Sequence, residues 1–172
     1  TSGPGAANLL TAIADAKLDS IPMVAITGQV ATSMIGTDAF QEVDTYGMTI
    51  PITKHNFLVR SAKDLLEVIP AAFRIAMSDR PGPVLVDVPK DVQNQMVSFD
   101  AYPDVVLPDA APTFDIAAVE EAAKMIEAAE RPVLYLGGGV IHSGAAAMAV
   151  TLAEQASLPT TMTRSEEHTS EL

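Results

Sequence analysis

Two short apolar runs, each closed by glycine or proline, constrain the fold of this chain more than any other feature. They read IPMVAITG (residues 21–28) and GPVLVDVP (residues 82–89). Runs of this length that lack polar alternation are typical of strands buried on both faces of a parallel sheet. A helical pattern precedes the first run, with apolar residues at Leu9, Leu10, Ile13, Ala14 and Leu18. This alternation of helix and strand predicts an α/β fold with a largely parallel sheet.

The segment after the first apolar run is long and polar. Residues 29 to 53 are rich in Gly, Thr, Ser and Asp, and they predict a loop with at most a short helix around Gln41 to Tyr46. Long loops that follow central strands often carry functional residues. The next run, TKHNFLVRS (residues 53–61), predicts another strand.

A helix is predicted over residues 62 to 78. Ser61 and Asp64 have the spacing of a capping box at its start. Pro70 lies inside this helix and lacks a backbone N–H, so we expect a bend or a break near Val68 and Ile69.

The composition excludes several classes of partner. The chain has 172 residues, a formal net charge of −12 and no cysteine. An acidic surface repels a phosphate backbone, so no nucleic-acid partner is expected.

Without cysteine there is no disulfide framework or thiolate metal site. No apolar run approaches the roughly 20 residues that span a bilayer, so no membrane partner is expected. The default location is cytoplasmic, or organellar if the source is a eukaryote.

A second α/β unit is predicted in the last third of the chain. The proline-containing residues 104–114 form the predicted linker, and Asp115 is the predicted cap of the helix that follows. The buried stripe of this helix is expected at Ile116, Val119, Ala123 and Ile126. A strand in RPVLYLGGGV, a helix over residues 144–156 and a strand that begins in LPTTMT continue the pattern.

The last nine residues, RSEEHTSEL (residues 164–172), are polar and lack a hydrophobic face. They follow a predicted strand that has no reason to end there, and a set of codons that encodes them resembles a common sequencing-library adapter. We therefore interpret them as a non-native tail and expect the chain to be an internal segment of a longer protein.

Two glycine-containing turns are candidates for cofactor contacts. In SGPG, Gly3, Pro4 and Gly5 allow the backbone to approach a flat cofactor, while Asn8 offers a donor and an acceptor. Gly137, Gly138 and Gly139 follow a predicted strand and suit a pyrophosphate, although the GxGxxG spacing is not met. Ordinary turn chemistry explains both sequences equally well.

Other candidates are isolated polar or charged residues. Arg80 in DRPGPV has the reach to bind a phosphate or carboxylate, and Gln41 in GTDAFQEVD is able to bond a substrate. Lys54 and Lys90 lie at the ends of predicted strands. Solvated surface positions are the alternative for all four. No HExxH, GxSxG or Walker A motif is present, so no metal site, serine hydrolase or NTPase is predicted.

Four blocks taken in order resemble the large catalytic subunits of acetolactate synthases (acetohydroxyacid synthases). They are TSGPGAANLLTAIADAKLDSIPMVAITGQV, MIGTDAFQEVD, PITKHNFLVR and DRPGPVLVDVPKDVQ, and the likeness spans residues 1 to 163. Related pyruvate oxidases, oxalyl-CoA decarboxylases and benzoylformate decarboxylases share mainly the SGPG and RPGPV elements. A 2-oxoacid decarboxylase or oxidase of this kind, and a non-catalytic nucleotide-binding module, are the alternatives.

The resemblance implies a domain organisation. Residues 1–103 correspond to the later part of a pyrimidine-binding domain for thiamine diphosphate, and residues 115–163 to the beginning of a central FAD-binding domain. The cofactor lies between two subunits in this family, so a homodimer or homotetramer is implied, together with a small regulatory subunit. The implied reaction decarboxylates pyruvate and ligates the two-carbon unit to a second 2-oxoacid, pyruvate or 2-oxobutanoate, in isoleucine and valine biosynthesis.

The resemblance also assigns roles to residues. Gly3, Pro4, Gly5 and Asn8 would line the aminopyrimidine of thiamine diphosphate, and Phe40 with Gln41 would lie close to the reacting carbon. Arg80 would contact FAD, the turn at Gly137, Gly138 and Gly139 would pass along its phosphates, and Lys54 and Lys90 would border the substrate channel. The family's activating glutamate lies upstream of Thr1 and its Mg²⁺-binding motif lies downstream, so the chain alone is expected to be inactive.

Overall fold

The structure is a computed structural model that describes residues 2–104 and 113–163. The chain divides into two compact units, Thr1–Ala111 and Pro112–Leu172. The predicted tail lies outside the described residues, as does the predicted linker apart from residues 104, 113 and 114.

Helices and strands alternate through the first unit, as the sequence predicts. Three single turns of 3-10 helix lie at Thr32–Met34, Ile50–Ile52 and Ala62–Asp64. The other elements are α1 (Pro4–Ala7), α2 (Leu10–Leu18), β1 (Met23–Gln29), α3 (Thr45–Thr49), β2 (His55–Leu58), α4 (Leu65–Met77), β3 (Pro83–Pro89) and α5 (Lys90–Gln93).

Three strands among the described residues of this unit form a parallel sheet in the order β1-β3-β2. β1 pairs with β3 along its whole length, from Met23 opposite Pro83 to Gln29 opposite Pro89. β2 pairs with the other side of β3, from His55 opposite Val84 to Leu58 opposite Asp87. The predicted α/β class with parallel sheets is therefore confirmed.

The core of the first unit forms around β3, in which all seven residues are buried. Val84, Val86 and Val88 pack with Ala72 and Ala76 of α4. Because side chains alternate along a strand, Leu85 and Asp87 point to the opposite face. α2 and α3 also contact β3, so helices cover the strand on both sides.

The first predicted helix is two helices in the structure. The N–H of Leu9 donates to the carbonyl of Ala6 at 3.0 Å, a bond that reaches three residues back and separates α1 from α2. Ile13 of α2 is buried, whereas Leu9 and Leu18 are exposed. Helical spacing of apolar residues therefore does not place all of them in the core.

The predicted short helix in the long loop is displaced toward the C-terminus. α3 begins at Thr45 because the Asp44 side chain caps it, accepting from the N–H of Gly47 at 2.8 Å. Residues 41 to 43 are not helical, and Gln41 has a φ of 64°.

The predicted capping box at the start of the 62–78 helix is present. The Asp64 carboxylate accepts from the Ser61 hydroxyl at 2.8 Å and from its N–H at 3.0 Å. The hydroxyl bond is the main reason that the pKa of Asp64 is lowered. α4 then continues unbroken through Pro70, so a break at that position is wrong. Packing of Ala72 and Ala76 against the sheet holds the second half of the helix in line.

The second unit begins with a capped helix and has a two-stranded parallel sheet. The Asp115 side chain accepts from the N–H of Ala117 at 2.9 Å, which confirms the predicted cap. Leu134 to Leu136 pair with Thr160 to Met162. The elements are α6 (Ile116–Ala128), β4 (Leu134–Leu136), α7 (Gly139–His142), α8 (Ala146–Gln155) and β5 (Thr160–Met162).

The predicted buried stripe of α6 is wrong for the described residues. Ile116 and Val119 are exposed, and Ile126 is half-buried. Two short strands do not offer enough sheet surface to cover a helix of 13 residues. No helix in the described parts of either unit is both long enough and apolar enough to cross a membrane.

Replacement of Ser61 by alanine tests the capping box. We expect Ser61→Ala to lower the free energy of unfolding by about 1 kcal/mol, because the substitution removes the cap of the 3-10 turn Ala62–Asp64 that leads into α4. Urea unfolding followed by circular dichroism measures the change. Ser33→Ala is the matched control, since Ser33 is exposed and its side chain bonds to no described residue. Equal stability of the two variants would contradict the prediction.

Candidate functional site

Two segments meet at the carboxyl edge of the first sheet, where β1 and β3 end. The loop of residues 30–44 follows β1, and α5 follows β3 directly. Asp91 of α5 joins them, because its Oδ1 accepts from the N–H of Thr32 at 2.9 Å and from its hydroxyl at 3.1 Å. The first of these bonds is the main reason that the pKa of Asp91 is lowered. Loops at this edge are the usual ligand sites of parallel sheets.

The SGPG turn contacts the same loop. Gly3 is buried at a φ of 51°, and Pro4 begins α1 directly after it. A Cβ on Gly3 would collide with the carbonyl oxygen of Gln41 and would lie 3.0 Å from its Cα. Glycine is therefore required for this approach as well as for the backbone conformation. The structure thus brings together two motifs that are 38 residues apart, Gly3 and Gln41.

Several predicted site residues present their functional groups to solvent. The ring of Phe40 is 87% exposed, and Gln41 beside it is exposed as well. Among the described residues, none forms a hydrogen bond or ion pair with the side chains of Asn8, Gln41 or Lys90, all of which are exposed. Gly5 closes the SGPG turn by donating its N–H to Ser2 at 3.2 Å. These side chains are therefore available to a ligand.

Glu42 closes the loop that carries Phe40 and Gln41. Its carboxylate accepts from the N–H of Gly36, and also from the N–H groups of Thr37 and Ala39, both at 3.1 Å. The bond from Gly36 is the main cause that lowers the pKa of Glu42. Residues 36–42 therefore form a compact turn around one ionised carboxylate.

A buried polar network lies beneath this loop. Asp87 is 1% exposed in the centre of β3, and its Oδ1 accepts from the Thr27 hydroxyl at 2.7 Å. Its Oδ2 accepts from Nε2 of Gln29 at 3.1 Å, and the same nitrogen donates to the carbonyl of Val43 at 2.8 Å. Burial raises the pKa of Asp87 above its ordinary value, although the bonds from Thr27 and Gln29 oppose this, and the nearby Asp44 adds to the rise.

Two of the predicted site residues lie at the opposite edge of the sheet. Lys54 precedes β2, and its Nζ donates to the carbonyl oxygen of Ser78 at 2.5 Å. Burial is the main cause that lowers the pKa of Lys54. Arg80 precedes β3 and donates to the Ser20 hydroxyl at 2.7 Å and to the Leu18 carbonyl at 3.1 Å. Both residues thus bond to segments at the amino edge of the sheet, where the strands begin.

Lys54 and Lys90 are consequently far apart within one chain. The N–H of Lys54 bonds to Pro83 at the start of β3, whereas Lys90 follows the end of that strand. Seven residues at about 3.3 Å each separate the two ends of β3 by roughly 20 Å. The two lysines therefore do not share one contact point within this unit.

In the second unit, the predicted glycine turn follows β4. Gly137 and Gly138 connect the strand to α7, which begins at Gly139. Among the described residues, a Cβ on Gly139 would have no neighbour within 4 Å, and one on Gly137 would approach only Thr163, at 3.9 Å. No described residue therefore closes off the backbone at these two glycines.

Sequence analysis missed the residues that support the loop, namely Thr27, Gln29, Glu42, Asp87 and Asp91. One signal was available, because Asp87 is the only charged residue in the apolar run GPVLVDVP. The partners of these residues are distant in sequence and could not be identified from spacing. The described residues contain no group of three or more His, Cys, Asp or Glu side chains that could hold a metal ion.

Two family models match the chain. The first, described as the N-terminal TPP binding domain of thiamine pyrophosphate enzymes, matches residues 1–48. The second, described as the central domain of thiamine pyrophosphate enzymes, matches residues 119–169. The first match includes Gly3, Phe40 and Gln41, and the second includes the Gly137 turn.

Curated relatives are similar over almost the whole chain. The acetolactate synthase isozyme 1 large subunit of Escherichia coli is 62% identical over 162 residues, which cover 94% of this chain and 28% of that protein. The acetolactate synthase large subunit of Corynebacterium glutamicum is 52% identical over 95% of this chain and 26% of that protein. A probable acetolactate synthase large subunit of Methanocaldococcus jannaschii is 49% identical over 92% of this chain and 28% of that protein. The chain therefore spans little more than a quarter of the length of these relatives.

Replacement of Gly3 by alanine tests the contact between the turn and the loop. We expect Gly3→Ala to lower the free energy of unfolding by about 1–3 kcal/mol from backbone strain alone, and by more because Gln41 must move. Gly36→Ala is the matched control, since Gly36 has a φ of 81° but has no neighbour within 4 Å of a Cβ. Urea unfolding measures the free energy of unfolding of both variants. Equal losses of stability would contradict the contact between Gly3 and Gln41.

Replacement of Asp87 by asparagine tests its ionisation. A raised pKa means that the folded state holds the proton more tightly than the unfolded state, so the wild-type chain loses stability as pH rises from about 4 through the raised pKa. Asp87→Asn cannot ionise, so its stability relative to wild type should increase over that range. Urea unfolding at a series of pH values measures the difference.

The matched control for this series is Asp91→Asn. The pKa of Asp91 is lowered, so its contribution is present above the ordinary carboxyl pKa and is lost as pH falls. The stability of Asp91→Asn relative to wild type should therefore decrease as pH rises, which is the opposite trend. If both variants showed the same trend, the assignment of a raised pKa to Asp87 would be wrong.

Proposed function

The chain belongs to the thiamine pyrophosphate enzymes, and from that premise we propose that it is a segment of the large catalytic subunit of an acetolactate synthase. The whole protein would decarboxylate pyruvate and ligate the resulting two-carbon unit to pyruvate or 2-oxobutanoate. These products would serve valine and isoleucine biosynthesis. Identity of 49–62% with acetolactate synthases from three organisms supports this reaction over those of related decarboxylases and oxidases.

One structural observation carries the proposal. The backbone of Gln41 packs directly on Gly3, so the SGPG turn and the Phe40–Gln41 loop share the carboxyl edge of the sheet. In the proposed site, the turn lines the aminopyrimidine of thiamine diphosphate, and the loop lies near the reacting carbon. Contact between the two supports a single site formed from both.

The residues present fit thiamine diphosphate. The short turn through Pro4 and Gly5, which follows the positive φ of Gly3, would present its backbone to the flat ring, and the free amide of Asn8 would bond to the edge of the ring. When bound, the cofactor supplies the electron sink that a 2-oxoacid needs to lose carbon dioxide. The exposed ring of Phe40 would exclude water, and the amide of Gln41 would orient a substrate oxygen.

Mg²⁺ and the diphosphate would be held by residues outside this chain. The chain alone would therefore supply only the pyrimidine side of the cofactor site.

FAD is the second cofactor of the proposal. In the second unit, the turn at Gly137, Gly138 and Gly139 would pass along its phosphates, and the described surroundings of Gly137 and Gly139 leave room for this approach. In the first unit, Arg80 would contact FAD. Its Nη1 bonds to no described residue, whereas Nε and Nη2 are already engaged.

An assembly of subunits is part of the proposal. The complete large subunit would form a homodimer, or a homotetramer made of two such dimers. Lys54 and Lys90, which lie at opposite edges of the sheet, would border different parts of the substrate channel. The large-subunit names of the relatives support a separate small regulatory subunit as a further partner.

Activity of the complete large subunit tests the proposal. With pyruvate, thiamine diphosphate, Mg²⁺ and FAD we expect acetolactate as the product. Gln41→Ala should lower kcat about 10- to 100-fold, the effect of losing one hydrogen bond to a charged group in the transition state. Gln155→Ala is the matched control, because Gln155 is exposed in α8 and bonds to no described residue, and its activity should equal that of wild type.

The products distinguish the proposed reaction from its alternatives. Acetaldehyde or acetate without acetolactate would indicate a related decarboxylase or oxidase. The 172-residue chain alone should form no acetolactate above a blank, and a measurable yield from it would contradict the proposed division of the site.

A further inference from the structure

The loop of residues 36–43, which we call the FQ loop, is joined to the sheet by one buried side chain. Gln29 is 5% exposed at the end of β1. Its Nε2 donates to the carbonyl oxygen of Val43 at 2.8 Å, and its Oε1 accepts from the N–H of Val30, also at 2.8 Å. Gln29 therefore bonds the last residue of the FQ loop directly to the end of a strand.

We propose that Gln29, held in place by Asp87, is a positioning residue that fixes the FQ loop for the reaction. This role rests on the proposed function, in which Phe40 and Gln41 of the FQ loop lie near the reacting carbon. Gln29 itself contacts neither substrate nor cofactor in this proposal.

The hydrogen bonds determine the orientation of the Gln29 amide. Its nitrogen donates to two acceptors, the Val43 carbonyl and the Asp87 carboxylate, while its oxygen faces an N–H donor. The flipped amide would place the oxygen against two acceptors and the nitrogen against a donor. Only one orientation satisfies all three contacts, so Gln29 holds Val43 in a defined position.

Asp87 supplies a rigid anchor for this amide. It lies in the central strand of the sheet, with a neighbouring strand on each side. Its second oxygen is occupied by the Thr27 hydroxyl, so the carboxyl group cannot rotate freely. A buried carboxyl group is costly in an otherwise apolar strand, and an apolar residue would satisfy the fold equally well. The bond to Gln29 gives this carboxyl group a role outside the core.

Hydrogen bonds within the FQ loop extend the support at Val43 to Phe40 and Gln41. The Glu42 carboxylate holds the N–H groups of Gly36, Thr37 and Ala39, so the loop moves as one body. Fixing Val43 thus also fixes Phe40 and Gln41. The contact of Gln41 with Gly3 is the second support, and the loop is held from the sheet and from the SGPG turn together.

Loss of the Gln29 amide should release the support from the sheet and leave the contact between Gln41 and Gly3 in place. The Val43 carbonyl would keep its local bond from the N–H of Thr45 at 2.7 Å but would lose the bond from Gln29 that joins it to β1, so the loop would pivot about Glu42 and Gly3. A displacement of about 1 Å at a reacting centre is enough to lower a rate about 100-fold. The fold of the sheet should persist, because its pairing does not involve the Gln29 side chain.

Hydrogen exchange and product analysis on the complete large subunit test this inference. Gln29→Met keeps the size of the side chain but removes the amide. We expect exchange of the amides in residues 36–43 to accelerate about tenfold, with strand amides unchanged, since one buried hydrogen bond is lost. We also expect kcat to fall about 10- to 100-fold and the ratio of the two products from mixed pyruvate and 2-oxobutanoate to change.

Three further variants separate positioning from stability. Gln29→Asn, with a shorter amide, should act in the same direction and serves if Gln29→Met does not fold. Asp87→Asn keeps an acceptor for Gln29 and should retain loop exchange and product ratio. Thr53→Val is the matched control, because the buried Thr53 hydroxyl bonds to Thr49 and Asn56 and does not touch the FQ loop. It should lower the Tm without changing loop exchange or the product ratio.

The outcomes are distinguishable. Loop exchange like that of wild type in both Gln29 variants would overturn the inference. Faster exchange with an unchanged kcat and product ratio would overturn it as well, since the loop position would then not matter. A wild-type subunit that forms no acetolactate would instead contradict the proposed function, while the exchange comparison would still report on the support from Gln29.

Discussion

The parallel pairing of β3 with strands on both of its sides is the constraint on which the first unit depends. All seven residues of β3 are buried, and the strand contributes to the apolar core on one face and to the Asp87 network on the other. Because the three strands run in the same direction, their loops separate into two groups. The carboxyl edge carries the Gly3 turn and the Gln41 loop, while the amino edge carries Lys54 and Arg80. The direction of one strand thus decides which candidate residues can meet.

The fold was largely predictable where the signal is local. The apolar runs correspond to β1 and β3, and the spacing of Ser61 and Asp64 marks the start of the fourth helix. The predictions failed where tertiary contacts determine where a helix ends or which side chains are buried. The break between α1 and α2 depends on one three-residue hydrogen bond, and the exposure of Ile116 and Val119 depends on how much sheet is available to α6. Neither can be read from apolar periodicity.

The candidate site was predictable only in its parts. Gly3, Asn8, Phe40 and Gln41 stand out by residue type or by family resemblance, but no spacing rule places a turn against a loop 38 residues away. The supporting residues were harder to recognise. In the sequence, Gln29 and Glu42 resemble ordinary polar loop residues. Their structural role depends on which groups their amide or carboxylate bonds to, and the sequence does not show those partners. Asp87 was visible as a charge in an apolar strand, yet its partner could not be inferred.

The contact at Gly3 also limits how this surface can evolve. The atoms that would meet a new side chain belong to the main chain of Gln41, and every amino acid shares those atoms. No second substitution at position 41 can therefore make room, as it could if two side chains collided. A lineage that lost this glycine would have to rebuild the course of the loop before it regained the same surface.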